Sequence, residues 1–153
     1  MINFFIYYFN MPFKHYVEEE DLDSVVTYAK KSKLKNAGKG LFALKKIKQG
    51  SMVCRYVGSL IPKYMITLGY YESDYLYEQK NGDYCIDASD IFSCLGRYAN
   101  DALSKKLTNV IFTQEKNDEF GQYTAIRDIK KGEEIYVSYG PEYWQDQLEK
   151  LSI

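Results

Sequence analysis

From Gly40 onward the chain alternates short apolar runs with turn signals. Residues 41–47 run to Gly50 and residues 52–57 to Gly58; residues 84–88, 109–113 and 122–126 follow, and 134–139 closes the series after the turn-like Lys130-Lys131-Gly132-Glu133. Runs of five to seven residues bounded by Gly, Asn and Asp predict strands, and their regular recurrence predicts a mainly β domain. Residues 62–77 are expected to be helical in part. A last helix is predicted from Pro141, because proline suits a first helical turn and Trp144, Leu148 and Leu151 recur on one face at helical spacing. Residues 1–10 are apolar and aromatic, yet they lack a basic leading region and are too short to cross a bilayer, so an edge strand or terminal arm is expected there. The acidic run at 18–23 reads as solvated surface and the basic run at 30–35 as a solvated loop, with a sharper alternative in which the acidic run collects a basic peptide.

Composition narrows the chemistry. A chain of 153 residues is enough for one domain with its own core. Its 20 Lys and Arg balance 21 Asp and Glu, so the overall basic field that holds proteins on nucleic acid is missing, and direct nucleic-acid binding is not expected. Cys54, Cys85 and Cys94 form no Cys-x-x-Cys pair, and His15 is the only histidine. A metal centre is therefore not expected, nor a triad mechanism unless His15 is its base, and the cysteines read as reduced thiols of an intracellular protein, nuclear or cytoplasmic, not secreted and not in a membrane. The 16 tyrosines are a surplus that ordinary core packing does not call for.

Three short segments carry candidate chemistry. Gly38-Lys39-Gly40 precedes a strand; it lacks the ending of a phosphate loop, and no helix follows it as a dinucleotide fingerprint requires. Gly96-Arg97-Tyr98-Ala99-Asn100-Asp101 is followed by Thr108-Asn109-Val110-Ile111-Phe112. The third segment runs from Gly132 through Ser138-Tyr139-Gly140 to Trp144. Singly these read as a tight turn, a hydrogen-bonded loop and a hairpin leading into a helix.

In this order, with Arg55-Tyr56-Val57-Gly58 and Cys85-Ile86-Asp87-Ala88 between them, they resemble the SET-domain protein lysine methyltransferases, in a minimal form without the zinc-binding cysteine tail. The resemblance covers roughly residues 38 to 144. It implies a SET-domain (β-clip-like) fold of small curved sheets with a threaded C-terminal segment and few short helices, divided as an N-terminal arm over 1–33, the domain proper over 34–144 and a helical tail over 145–153. It implies S-adenosyl-L-methionine as cofactor, held by Gly38, Lys39, Gly40, Arg97, Tyr98, Asn100, Asp101, Tyr139 and Trp144. Asp101 stands where the family usually has histidine, a position the family uses largely through its backbone. Tyr139 matches the catalytic tyrosine, and Tyr56 a second tyrosine of the lysine channel. Phe112 and Val137 fall at the two positions that restrict room around the amine, and a Phe at 112 implies that more than one methyl can be added. The implied partner is a basic peptide carrying lysine, a histone tail first. A non-histone target and a binding module without turnover are the alternatives, while oligomeric state is not legible.

Overall fold

The computed structural model describes residues 26–115 and 118–152, so the expectations for residues 1–10, for His15 and for the acidic run at 18–23 lie outside the described residues. Among the described residues, nine short strands and two helices follow one another along the chain. They are β1 (Thr27–Lys31), β2 (Lys39–Ala43), β3 (Met52–Tyr56), β4 (Ser59–Pro62), α1 (Lys63–Thr67), β5 (Leu76–Glu78), β6 (Tyr84–Asp87), β7 (Val110–Thr113), β8 (Gly121–Ala125), β9 (Glu134–Ile135) and α2 (Pro141–Leu151), with a 3-10 turn over Leu95–Tyr98. The strands form three antiparallel sheets of three, ordered β1-β2-β9, β3-β8-β7 and β4-β6-β5.

Each central strand shows why its sequence folds there. β8 alternates, turning Gly121, Tyr123 and Ala125 inward, as a sheet with one buried face requires. β2 lies between two neighbours and is buried from Gly40 to Ala43. The three sheets share one core, which includes Leu41, Val53, Ile86, Val110, Tyr123, Ile129 and Val137.

Three local expectations need correction. The run at 134–139 joins a sheet only over Glu134 and Ile135. Beyond them the Val137 amide donates to the Asn100 carbonyl (3.0 Å), while the Tyr136 carbonyl accepts from the amides of Asn109 (3.0 Å) and Val110 (3.2 Å). The segment is thus gripped by both ends of the 101–109 loop, in keeping with a threaded C-terminal segment. The helical stretch after Pro62 stops at Thr67, because Gly69 takes a left-handed φ of 73° just beyond it and the chain then extends into β5. The basic run at 30–35 is not all loop: Lys30 and Lys31 end β1, with the Lys30 ammonium 4.2 Å from the Phe42 ring centre. In α2 the helix forms as expected, but Leu148 and Leu151 stay exposed, since only its first turns meet the body of the domain.

Candidate active site

The three sequence segments meet. The turn from Ser32 to Gly38 closes through the Ser32 amide on the Gly38 carbonyl (2.9 Å), with Asn36 and Gly38 both at positive φ. Glu134, buried from the opposite end of the chain, holds this turn: its carboxylate accepts from the Ser32 hydroxyl (2.5 Å), the Lys33 amide (2.9 Å) and the Tyr136 hydroxyl (2.8 Å). Burial and that carboxylate together push the Tyr136 phenol well up from its ordinary range. Gly40 must be glycine because a Cβ there would overlap the Glu134 carboxylate and lie 3.2 Å from the Ser32 Cα. The Asn100 amide group donates to the Lys39 carbonyl (2.9 Å), and the Lys39 ammonium sits 5.4 Å from the Tyr98 ring centre. First and second segments are thereby joined side chain to backbone.

Arg97 is a strut. Its guanidinium donates to the carbonyls of Ala88 (2.8 Å) and Ser89 (3.0 Å) and lies over the rings of Tyr75 (4.5 Å) and Tyr98 (4.9 Å). Asp101 also uses its side chain, against the expectation of a mainly backbone role: Oδ2 accepts from the Tyr139 amide (2.9 Å) and the Trp144 indole N–H (3.0 Å), while Oδ1 accepts from the Leu103 amide (2.7 Å).

Beside this junction opens a cavity of about 310 Å³ walled by Tyr56, Tyr77, Tyr123 and Tyr139, with Arg97, Ala99, Asp74, Tyr143 and Asp146 also in its lining. The Tyr139 hydroxyl donates to the Ala99 carbonyl (2.9 Å), and the Tyr56 hydroxyl to the Tyr75 carbonyl (2.8 Å). The Tyr77 hydroxyl is buried without a well-formed hydrogen bond, although the Tyr123 hydroxyl is close enough to act on its titration. Edge-to-face contacts tie Tyr56 to Tyr77 (4.8 Å) and to Tyr123 (5.6 Å), each pair contributing about 0.5–1.5 kcal/mol beyond the area it buries. Burial pushes the phenols of Tyr56, Tyr123 and Tyr139 well up, and that of Tyr77 to about 12. All four are neutral at physiological pH. The wall segment before Tyr75 is anchored from outside by buried Asp87, whose carboxylate accepts from the hydroxyls of Tyr71 (2.5 Å), Ser73 (2.7 Å) and Ser89 (2.7 Å).

Of the channel residues expected from sequence, Tyr56 and Tyr139 face the cavity, whereas Phe112 and Val137 are not among its lining residues. Phe112 stacks flat behind Tyr77, centre to centre 4.2 Å, because Gly121 across the strand pair leaves room only for that ring. Val137 is buried in the core beneath the Asn100 carbonyl it bonds. The wall residues that motif reading missed are Tyr75, Tyr77, Tyr123 and Tyr143. The excess of tyrosine was the available signal, but it carried no positions.

Comparison with known proteins agrees with this geometry. The SET domain family matches residues 38–140. The chain is 32% identical over 125 residues to the histone-lysine N-methyltransferase EZH2 of Chaetomium thermophilum, and 30% identical over 116 residues to the human histone-lysine N-methyltransferase EHMT1. These stretches cover 74% and 72% of this chain but only 8% and 9% of those proteins, so the chain spans under a tenth of the length of either. Among solved structures, the Chaetomium thermophilum PRC2 complex in an autoinhibited conformation bound to S-adenosylmethionine aligns with a TM-score of 0.63 at 27% identity, over 83% of this chain and 17% of that one. An active polycomb repressive complex 2 in the stimulated state aligns with a TM-score of 0.63 at 30% identity, over 74% and 15%. With the family pattern spanning two-thirds of the sequence and its second and third segments lining one tyrosine-walled cavity, the chain belongs to the SET-domain family.

Proposed function

We propose that this protein transfers methyl groups from S-adenosyl-L-methionine to the side-chain amine of lysine in a protein, with a basic histone tail as the first candidate and the nucleus or cytoplasm as the place of action. The observation that carries this reading is the cavity itself, four neutral phenols of which Tyr139 donates its hydroxyl to the Ala99 carbonyl in the second sequence segment. The names of the relatives support the reaction and the histone substrate.

The residues present suit that cofactor. Carbonyl oxygens of Lys39 and Ala99 and the near-parallel rings of Tyr139 and Trp144, 6.1 Å apart, are groups that attract a cationic sulfonium nucleoside without attacking it. Gly38, Lys39, Gly40, Arg97, Tyr98, Asn100, Asp101, Tyr139 and Trp144 would hold it. When bound, it supplies a methyl group already activated on a positively charged sulfur.

What the chain must do is deliver an uncharged amine in line with that methyl. None of the four phenols is a base at neutral pH, so the lysine proton leaves to water before the amine moves inward. The aromatic walls then favour the neutral form by desolvation. Exposed Asp74 and Asp146 at the solvent edge attract the ammonium form on approach. Holding nitrogen and methyl at near-attack distance contributes roughly 7–11 kcal/mol, more than any single hydrogen bond in the site. Tyr77, not Phe112 or Val137, bounds the room around the amine and so sets how many methyl groups are added.

The test is methyl transfer to core histones and their tail peptides, read by mass spectrometry for site and product state. Wild-type protein should methylate a lysine, and Tyr139→Phe should lower kcat about 10²–10³-fold with cofactor affinity retained. Absence of transfer by the wild type to any basic protein would refute the reading and leave a binding module.

A further inference from the structure

The sequence departs from its family at Asp101, and there the side chain does something a backbone role does not explain. One carboxylate oxygen, Oδ2, takes two N–H groups from separate parts of the C-terminal segment, the Tyr139 amide at 2.9 Å and the Trp144 indole at 3.0 Å. The other, Oδ1, takes the amide of Leu103 at 2.7 Å and so braces a turn whose Leu103 is held at a left-handed φ of 51°. The same turn follows Asn100, which bonds Lys39 through its side chain and Val137 through its carbonyl. The rings of the two residues that Oδ2 bonds, one through its backbone amide and one through its indole, face one another: Tyr139 and Trp144 lie within 19° of parallel, and Tyr143 meets both at an edge, 4.8 Å from Tyr139 and 5.2 Å from Trp144. α2 has no buried residue of its own, so its placement depends on these contacts and on Gln147, which donates to Asp74 at 3.0 Å.

We propose that Asp101 is a positioning residue that clamps Tyr139 and Trp144 into one rigid unit, fixing the catalytic phenol and the first turn of α2 together against the cofactor side of the cavity. This rests on the assignment of Tyr139 to catalysis. Charge is what makes the clamp work, since an ionised carboxylate oxygen accepts two donors at once and bonds them more strongly than a neutral acceptor. An asparagine at 101 keeps the shape but turns one side into an NH2 group. Whichever way the amide rotates, either the pair of N–H donors or the Leu103 amide then faces another donor.

Trp144 is the sole tryptophan, so its fluorescence reports the clamp directly and needs neither substrate nor turnover. In Asp101→Asn the Trp144 emission maximum should move to longer wavelength, S-adenosylmethionine binding should weaken about tenfold and kcat should fall about tenfold, as expected for losing a hydrogen bond to a charged group. Trp144→Phe removes the indole donor and leaves Asp101 on Tyr139. It should raise the cofactor KM, and Asp101→Asn added to it should weaken the cofactor by much less than it does in the wild type. An unmoved emission maximum in Asp101→Asn, or strict additivity of the two substitutions in cofactor affinity, overturns the clamp. A moved maximum with unchanged kcat overturns its link to catalysis. Failure of the underlying assignment is read separately, as undiminished transfer by Tyr139→Phe.

Discussion

The Gly38–Gly40 turn and the tyrosine-walled cavity, the proposed cofactor side and amine channel, are built on opposite principles. Around Gly38 and Gly40 the chain is fixed by directional bonds into a buried carboxylate: Glu134, 1% exposed, is fully committed to Ser32, Lys33 and Tyr136. A few ångströms of misplacement there would orphan several polar groups at once. Around the channel the side chains are held mostly by packing, with Phe112 behind Tyr77 and Tyr56 and Tyr123 at its edges, and one hydroxyl is left without a good bond. The difference separates two tasks. A backbone platform has to be rigid before its ligand arrives, whereas a channel for an amine has to be dry, neutral and slightly unsatisfied, so that the incoming group supplies what is missing.

If that contrast is right, the largest stability loss lies on the polar side. Glu134→Ala strands the Ser32 and Tyr136 hydroxyls and the Lys33 amide, and should cost about 3 kcal/mol or more in urea unfolding. A loss below about 1 kcal/mol would mean that water repairs the gap and that the turn is not held from this point.

Alkaline pH should strike the channel instead. The Tyr77 phenol titrates near 12 in the folded protein, mainly because it is buried, against about 10 when unfolded. Its contribution is fully present below pH 10 and is lost as pH rises from 10 through 12, because the unfolded chain gives up the proton first. Two units correspond to roughly 2–3 kcal/mol, and Tyr56, Tyr123 and Tyr139 act in the same direction. Unfolding free energies measured across this range should fall steeply for the wild type and less steeply for Tyr77→Phe. Parallel slopes would show that Tyr77 is not buried in solution.

The smallest effects divide the channel itself. Tyr56→Phe loses a 2.8 Å bond to the Tyr75 carbonyl and should cost about 1 kcal/mol near neutral pH. Tyr77→Phe deletes a hydroxyl that has no good partner and should cost less than about 0.5 kcal/mol, or stabilise slightly. Its consequence belongs to the product: mass spectrometry should find a higher degree of methylation than in the wild type. Equal stability losses in the two variants would remove the distinction between a bonded wall and an unsatisfied one.

The sequence by itself determined the strands whose patterns are locally complete, such as β3, β6, β7 and β8, each within about a residue of its predicted span, and the start of α2 at Pro141. It also picked out three segments that the fold brings together, because glycines, an Arg-x-x-Asn and a Ser-Tyr-Gly shape the backbone locally wherever they fall. Only the tertiary structure decided the rest. β9 ends after two residues because Tyr136 and Val137 bond instead to segments some 30 residues earlier. Phe112 yields the channel to Tyr77 because the partner strand offers Gly121 beneath its ring. Asp101 reaches Tyr139 and Trp144 across some 40 residues of chain. Local propensity is written in neighbours along the chain, but which side chain faces a cavity depends on contacts between distant segments that only folding brings within reach.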